Sequence, residues 1–396
     1  MTQPTALPLS GITVVSIEQA VAAPFATRQL ADLGARVIKI ERPDGGDFAR
    51  RYDETVRGES SYFVWLNRSK ESLTLDLKSE QGRAVLERLL GTADVFVQNL
   101  APGAAARMDL DAQSLQQRHP SLIPCDISGY GNTGPWSDRK AYDMLVQGES
   151  GLMSLTGPES TPSRAGISIA DISAGMYAYS GILTALFTRA TTGVARAVEV
   201  SLFESLGEWM GNPAYYTEYG GTQPRRVGAE HATIAPYGAF PTSDGTILLS
   251  VQNEREWVAL CTDLLGNDAL ATDPRFERNS DRVANRAECN ALVADRTRTM
   301  PTEDALAVLD RIAIANGRLA SVSDFLTHPS LEGRNRWREV DTAGGPVRAL
   351  LPPATLAGVE PRFDPVPAVG EHTDTILAGL GYDAAAIADL RAAAAV

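Results

Sequence analysis

Gly11-Ile-Thr-Val-Val-Ser-Ile17 and Ala35-Arg-Val-Ile-Lys-Ile-Glu41, with Pro24 to Leu33 between them, decide the fold. The first run is short, β-branched and preceded by glycine, the pattern of a buried strand. Pro24 to Leu33 reads as a helix, and Gly34 suits the position just past a helix end, where a left-handed backbone favours glycine. The second run supplies the next strand. The same alternation recurs downstream. Ser72 to Leu77 reads as a strand, Ser79 to Leu90 as a helix and Asp94-Val-Phe-Val-Gln98 as a strand; Leu110 to Arg118 is then a helix and Leu122 to Ser128 a strand. Such alternation predicts an α/β fold, with a parallel sheet covered by helices on both faces.

Further along, Ile172 to Arg189 is apolar nearly all round and reads as a buried helix. Ala197 to Ser201 gives another strand and Leu202 to Glu218 a helix, before a break at Gly220-Gly221 and Pro224-Arg-Arg226. From Tyr237 to Val251 the pattern becomes a hairpin around Ser243-Asp-Gly245, and helices follow between Glu254 and Ala313. These shifts predict a large α/β domain over 1–200, a linker helix and break over 201–224, and a small α+β domain over 225–325. The segment 326–396 then returns to the large domain and ends in an alanine-rich helix.

With 396 residues, 44% hydrophobic and 21% charged, the chain has the make-up of a soluble multidomain enzyme. Its N-terminus shows no secretory pattern and no apolar run reaches membrane-spanning length. Cys125, Cys261 and Cys289 are widely spaced and form no metal-binding motif, which fits a reducing, cytoplasmic setting. A net charge of −13 disfavours nucleic acid as a partner, and requires any polyphosphate ligand to be met by locally gathered cations.

Gly129-Tyr-Gly-Asn-Thr-Gly134 spells a dinucleotide fingerprint, but Pro135-Trp136 follows where a helix should open, so a glycine-rich loop is the better reading. His119, His231, His328 and His372 show no metal-ligand spacing. His231 is the one considered for a substrate role, with a structural role as its alternative. Asp171 is the outstanding residue. It lies in Gly166-Ile-Ser-Ile-Ala-Asp-Ile-Ser-Ala-Gly175, and a carboxylate among apolar and small residues is seldom there for packing. Its bland reading is an N-cap for the following helix, and a carboxylate near a helix N-terminus is also stabilised as an anion.

A series of motifs in register resembles the family III CoA-transferases, of the CaiB/BaiF or formyl-CoA transferase type. They are Leu33 to Arg42, Asn67-Arg-Ser-Lys70, Leu75-Asp-Leu-Lys78, Asp94 to Asn99 with Pro102-Gly103 and Arg107, Ser128 to Gly131, Lys140-Ala-Tyr-Asp143 and Asp171. Pro236-Tyr237, Asp244-Gly245, Asp273-Pro-Arg-Phe276, Arg282 and Gly370 to Asp374 continue the series. The resemblance implies a Rossmann-like large domain plus a smaller α+β domain, in an interlocked homodimer. It implies no tightly bound cofactor, with coenzyme A as substrate and product.

By the same resemblance Asp171 is the nucleophile that forms an acyl anhydride and then an aspartyl-CoA thioester. Val21, Ala22, Arg42, Leu75, Asp76, Leu77, Lys78, Asn99, Leu100, Ala101, Arg107, Lys140, Ala141, Tyr142 and Asp143 are the CoA-contacting positions. Arg42, Lys78, Arg107 and Lys140 supply the local positive charge that an acidic chain needs to hold CoA phosphates. Two departures bear on substrate. Val21 stands where formyl-CoA transferase has glutamine, and no glycine run precedes Tyr237-Gly-Ala-Phe240 to form a mobile lid. Both put lid protection of the anhydride and oxalate as substrate in doubt; the acceptor expected instead is a dicarboxylate such as malate, citramalate or mesaconate, with succinyl-CoA as donor. The alternatives are an α-methylacyl-CoA racemase-like isomerase, disfavoured because Tyr142 occupies the place of its acid–base histidine, and a catalytically silent CoA-binding protein.

Overall fold

Six strands lie side by side, all parallel: β1 (Thr13–Ile17), β2 (Arg36–Glu41), β3 (Lys70–Thr74), β4 (Val95–Gln98), β5 (Ile123–Ser128) and β6 (Val198–Ser201). Their order is β3-β2-β1-β4-β5-β6. The computed structural model describes residues 6–396. Strands covered on both faces carry continuous apolar runs, and Val14, Val15, Ile38, Val95, Phe96, Val97 and Ile123 are all fully buried.

The helices of this layer are α1 (Ala22–Asp32), α2 (Ser61–Asn67), α3 (Glu80–Leu90), α4 (Ala104–Arg107), α5 (Ala112–Arg118), α6 (Asp143–Glu149), α7 (Ile169–Thr192) and α8 (Leu202–Trp209). Val85, Leu86 and Leu89 of α3 and Leu115 of α5 share one core with Val15, Ile38, Leu73 and Phe96 of the sheet and Ile376, Leu377 and Leu390 of the C-terminal helices. Ser79 accepts the Gly82 N–H as the N-cap of α3, so the expected start falls one residue outside the helix. The expected strand Ser72 to Leu77 ends early, at Thr74, because the Asp76 N–H is drawn to the Ala395 carbonyl of the C-terminal tail.

Two further expectations are corrected. The helix expected over Leu202 to Glu218 is two, Leu202–Trp209 and Gly211–Gly220, and Pro213 near the junction has no N–H to give. The helix α7 is buried along one stripe only, at Ala170, Ala174, Ala178, Ile182 and Ala185, while Met176, Tyr177 and Phe187 are exposed. An all-round apolar sequence therefore does not mean all-round burial within this chain.

The chain forms two compact units. One comprises the described residues to Ser150 with Ala165–Gly211 and Gly333–Val396; the other comprises Gly151–Arg164 and Asn212–Glu332. The second unit holds an antiparallel sheet of β7 (Tyr237–Pro241), β8 (Thr246–Ser250) and β9 (Ala315–Arg318), with the β7–β8 turn at the Ser243-Asp-Gly245 site. Its core gathers Phe240, Leu249, Trp257, Phe276 and Leu309. Among the described residues no helix is long and apolar enough to cross a membrane.

Candidate active site

Parallel strands all end at one edge, and the sheet order reverses between β1 and β4, which leaves a crevice where the two chains diverge. Gln19, just after β1, and Asn99, just after β4, are tied across it. The Gln19 N–H donates to Asn99 Oδ1 at 2.9 Å, and Asn99 Nδ2 donates to the Gln19 carbonyl at 2.9 Å. Ala20 then takes a left-handed backbone at φ 59°, unusual for alanine, and its N–H points to Asp47 Oδ1 at 3.3 Å. Val21 follows as N-cap of α1, a helix start with no side-chain cap.

The helix α7 packs against α1 so closely that a Cβ on Gly175 would lie 2.6 Å from the Ala22 carbonyl oxygen. Asp171 sits one turn before Gly175 and is half-buried. It is not the N-cap; Ser168 holds that position without a side-chain bond, and Asp171 lies inside the first turn. The cap comes from outside the helix. Asp143 Oδ1, at the start of α6, accepts the Ala170 N–H at 2.8 Å and faces the Asp171 N–H at 3.5 Å. Among the described residues the Asp171 carboxylate has no cation and no hydrogen-bond donor as partner. Burial, and then the charge of Asp143, push its pKa up to about 7. Tyr52 shares the setting: burial, then Asp47, Asp171 and Tyr142, raise its phenol to about 12.

Behind the Ala20 turn lies a buried charge cluster. Lys39 Nζ bonds Asp47 Oδ2 at 2.8 Å and the Glu18 carbonyl at 3.2 Å. Lys70 Nζ bonds Glu18 Oε1 at 2.7 Å, the Pro24 carbonyl at 3.1 Å and Asn67 Oδ1 at 3.1 Å. Thr27 donates to Glu18 Oε2 at 2.6 Å. Burial alone would raise the Glu18 carboxyl, but the two ammonium groups outweigh it and hold the pKa below the usual carboxylate range.

The remaining expected positions fall as follows. Ala22 opens α1, Arg42 follows β2, Leu75 to Lys78 follow β3, Asn99 to Ala101 follow β4, and Lys140 to Asp143 come after β5. Parallel topology therefore brings all of them to the carboxyl edge of one sheet. Arg42, Lys78, Arg107 and Lys140 are exposed, as is Tyr142 at 67%. Leu75 is buried in the core, and the side chains of Asn99 and Asp143 are engaged within the protein. The Asp76 carboxylate accepts the Lys78 N–H at 3.0 Å. His231 belongs to the other unit, where it stacks on Tyr237 with centroids 5.0 Å apart. Gly129 to Gly134 are loop, and a Cβ on Gly129 would meet the Ala141 Cβ at 2.3 Å, so glycine there lets the Lys140–Asp143 segment close onto the strand end. Sequence reading missed Tyr52, Asp47 and the Glu18 cluster. Their partners come from distant parts of the chain, and no local period marks them.

Over residues 9–373 the sequence matches CoA-transferase family III. The chain belongs to that family. It is 35% identical over 383 residues to the succinate–glutarate CoA-transferase of Agrobacterium fabrum, covering 94% of this chain and 96% of that one. With the human succinyl-CoA:glutarate CoA-transferase it shares 32% identity over 400 residues, covering 98% and 90%. It also shares 36% identity over 330 residues with the acetyl-CoA:oxalate CoA-transferase of Acetobacter aceti, covering 83% and 85%. A crystal structure of a CaiB/BaiF family protein from Brucella suis superposes with a TM-score of 0.85 at 36% identity, covering 95% of this transferase and 100% of that chain. This transferase is thus an enzyme acting on CoA thioesters, on a Rossmann-like parallel sheet.

Proposed function

We propose that this transferase moves CoA from succinyl-CoA to a small dicarboxylic acid through a covalent thioester on Asp171. One observation carries the reading: a half-buried carboxylate without a cationic partner among the described residues, its pKa pushed up to about 7, at the sheet edge that carries the exposed cations. The name of the human relative supports succinyl-CoA as donor and glutarate as acceptor, that of the Agrobacterium relative pairs succinate with glutarate, and relatives at 29% identity pair succinyl-CoA with D-citramalate and with mesaconate.

In the proposed chemistry Asp171 attacks the thioester carbonyl and expels CoA thiolate, leaving a mixed anhydride. The thiolate then attacks the Asp171 carbonyl carbon and releases the donor acid. The acceptor carboxylate reverses both steps. Each tetrahedral state needs N–H donors, and the uncapped first turn of α1 at Ala22 and Ala23 offers them. Arg42, Lys78, Arg107 and Lys140 serve the CoA phosphates, Leu100 the adenine side and Tyr142 the reacting end, while Leu75, buried in the core, supports the edge from within. The interlocked homodimer belongs to the same reading, supported by Met176, Tyr177 and Phe187 left exposed on α7. Three buried free thiols suit a cytoplasmic setting.

Intact-mass measurement after mixing with a panel of acyl-CoAs and quenching tests the proposal. A CoA-sized adduct is expected with succinyl-CoA in the wild type and none in Asp171→Ala, with turnover lowered at least ~10³-fold. An adduct that survives Asp171→Ala overturns it.

A further inference from the structure

Asp143 differs from the exposed cations expected to meet CoA because its carboxylate is committed to the protein on both oxygens, one of them at the start of α7. Oδ1 accepts the Ala170 N–H, and Oδ2 accepts the side-chain amide of Gln147 at 2.7 Å. Gln147 is itself fully buried and held, its Oε1 accepting the Ala165 N–H at 2.8 Å. Both oxygens act as acceptors, the role a carboxylate fills. A residue 27 positions earlier thus caps α7 where Ser168 does not. This is the work of an internal brace, unlike the CoA contact that the resemblance implies for Asp143.

We infer that Asp143 is a positioning residue for Asp171: it fixes the backbone from which Asp171 projects and, by like-charge repulsion, favours the acylated, neutral Asp171 over the free carboxylate. This rests on Asp171 being the nucleophile. Across the two steps the Asp171 carboxylate and the acyl-CoA become the aspartyl-CoA thioester and the free donor acid. An Asp171 C–O bond is replaced by C–S, the donor C–S bond by C–O, and the negative charge leaves with the donor acid. Repulsion from Asp143 is therefore present before acylation and absent after it.

Other charged groups around α7 are engaged elsewhere. On α1, Arg28 bonds Asp32 at 2.6 Å, and Asp32 also holds Arg68. On α6, Glu149 lies 3.8 Å from Arg139. On α8, Glu204 accepts the Ser201 hydroxyl at 2.6 Å, and on β5 Asp126 accepts the Gln98 amide at 3.1 Å. Glu199 lies on β6, beside Asp126, and Arg189 at the far end of α7 pairs with Asp94 at 2.7 Å. Tyr52, from the loop after β2, faces Asp171 as a neutral phenol.

The test uses full-length wild type, Asp143→Asn and Asp143→Glu, equilibrated with succinyl-CoA and succinate at a fixed ratio, quenched and read by intact mass. Asn keeps the shape and the acceptor oxygen but removes the charge. At pH 8 the ratio of adduct to free enzyme is expected to fall about tenfold in Asp143→Asn, the lower end of the effect of a close like charge. The acid limb of adduct formation should also move to lower pH, and Asp143→Glu should recover part of both effects. A wild-type ratio and limb in Asp143→Asn, as a merely structural role gives, overturns the inference while leaving the nucleophile intact. Absence of any adduct in the wild type removes the nucleophile and the inference with it. Should Asp143→Asn fail to fold by circular dichroism, Asp143→Ser, whose uncharged hydroxyl can still accept an N–H, takes its place. A lowered adduct ratio and a limb moved to lower pH support the inference, and the wild-type ratio and limb overturn it.

Discussion

Glu18 and Asp171 are carboxylates in apolar surroundings at the same edge of the sheet, and the protein treats them in opposite ways. Glu18 has two ammonium groups and a hydroxyl around it, and its pKa is driven down. Among the described residues Asp171 has no cation as partner; a second carboxylate, Asp143, lies beside it, and its pKa is driven up by burial and then by that charge. A buried charge is tolerated when it is paired, and a paired carboxylate is a poor nucleophile because its lone pairs are already engaged. The cluster around Glu18 holds the Ala20 turn in place, and the charge at Asp171 is left available to react. The contrast separates structural carboxylates from chemical ones better than burial does.

The hardest test of that contrast is Lys70→Met. It strips Glu18 of its nearer ammonium partner and should cost about 3–5 kcal/mol in urea unfolding, the usual penalty for a buried charge left unpaired. A loss below about 1 kcal/mol would show that Lys39, 3.5 Å from Glu18, suffices alone. Gly175→Ala sharpens the comparison from the other side. The new Cβ meets the Ala22 carbonyl at 2.6 Å, and backbone there cannot swing away. The expected cost is about 1–3 kcal/mol of stability. Because Asp171 is one turn away, kcat should fall about ten- to a hundredfold, more than KM for the acyl-CoA rises. Steady-state kinetics beside thermal unfolding separates the two effects.

The smallest effect concerns Asp171 itself. Its folded pKa of about 7 lies above the ordinary aspartate value of 3.8, so the folded state holds the proton more tightly than the unfolded state. The associated stability is fully present below pH 3.8 and is lost as pH rises to about 7. Asp171→Asn should therefore stabilise the fold by about 1–2 kcal/mol at pH 8, discounted for partial exposure, and by almost nothing at pH 4. Lys70→Met should show no such gain at any pH. Urea unfolding at the two pH values checks both.

Much of this was legible along the chain. The opening strands could be read from Gly11 to Ile17 and Ala35 to Glu41 because β-branched runs bounded by glycine have few other uses. Asp171 was legible as an acid in an apolar frame, and the motif series carried the family. Its cap reading was wrong because Ser168 precedes it and Asp143 does the capping from another helix. The burial of α7 was overread because composition does not reveal which face a neighbour covers.

By itself the sequence determined the α/β alternation and the family, and it singled out the carboxylate proposed to react, since these rest on local periodicity and on residue types in order. Only the tertiary structure decided what surrounds that carboxylate. Lys39, Lys70 and Glu18 find one another across 21 and 52 positions, and Asp143 reaches Asp171 across 28. Such pairings set which charges are neutralised and which are left to react. Electrostatics depends on distance through space, and distance along the chain carries almost none of it.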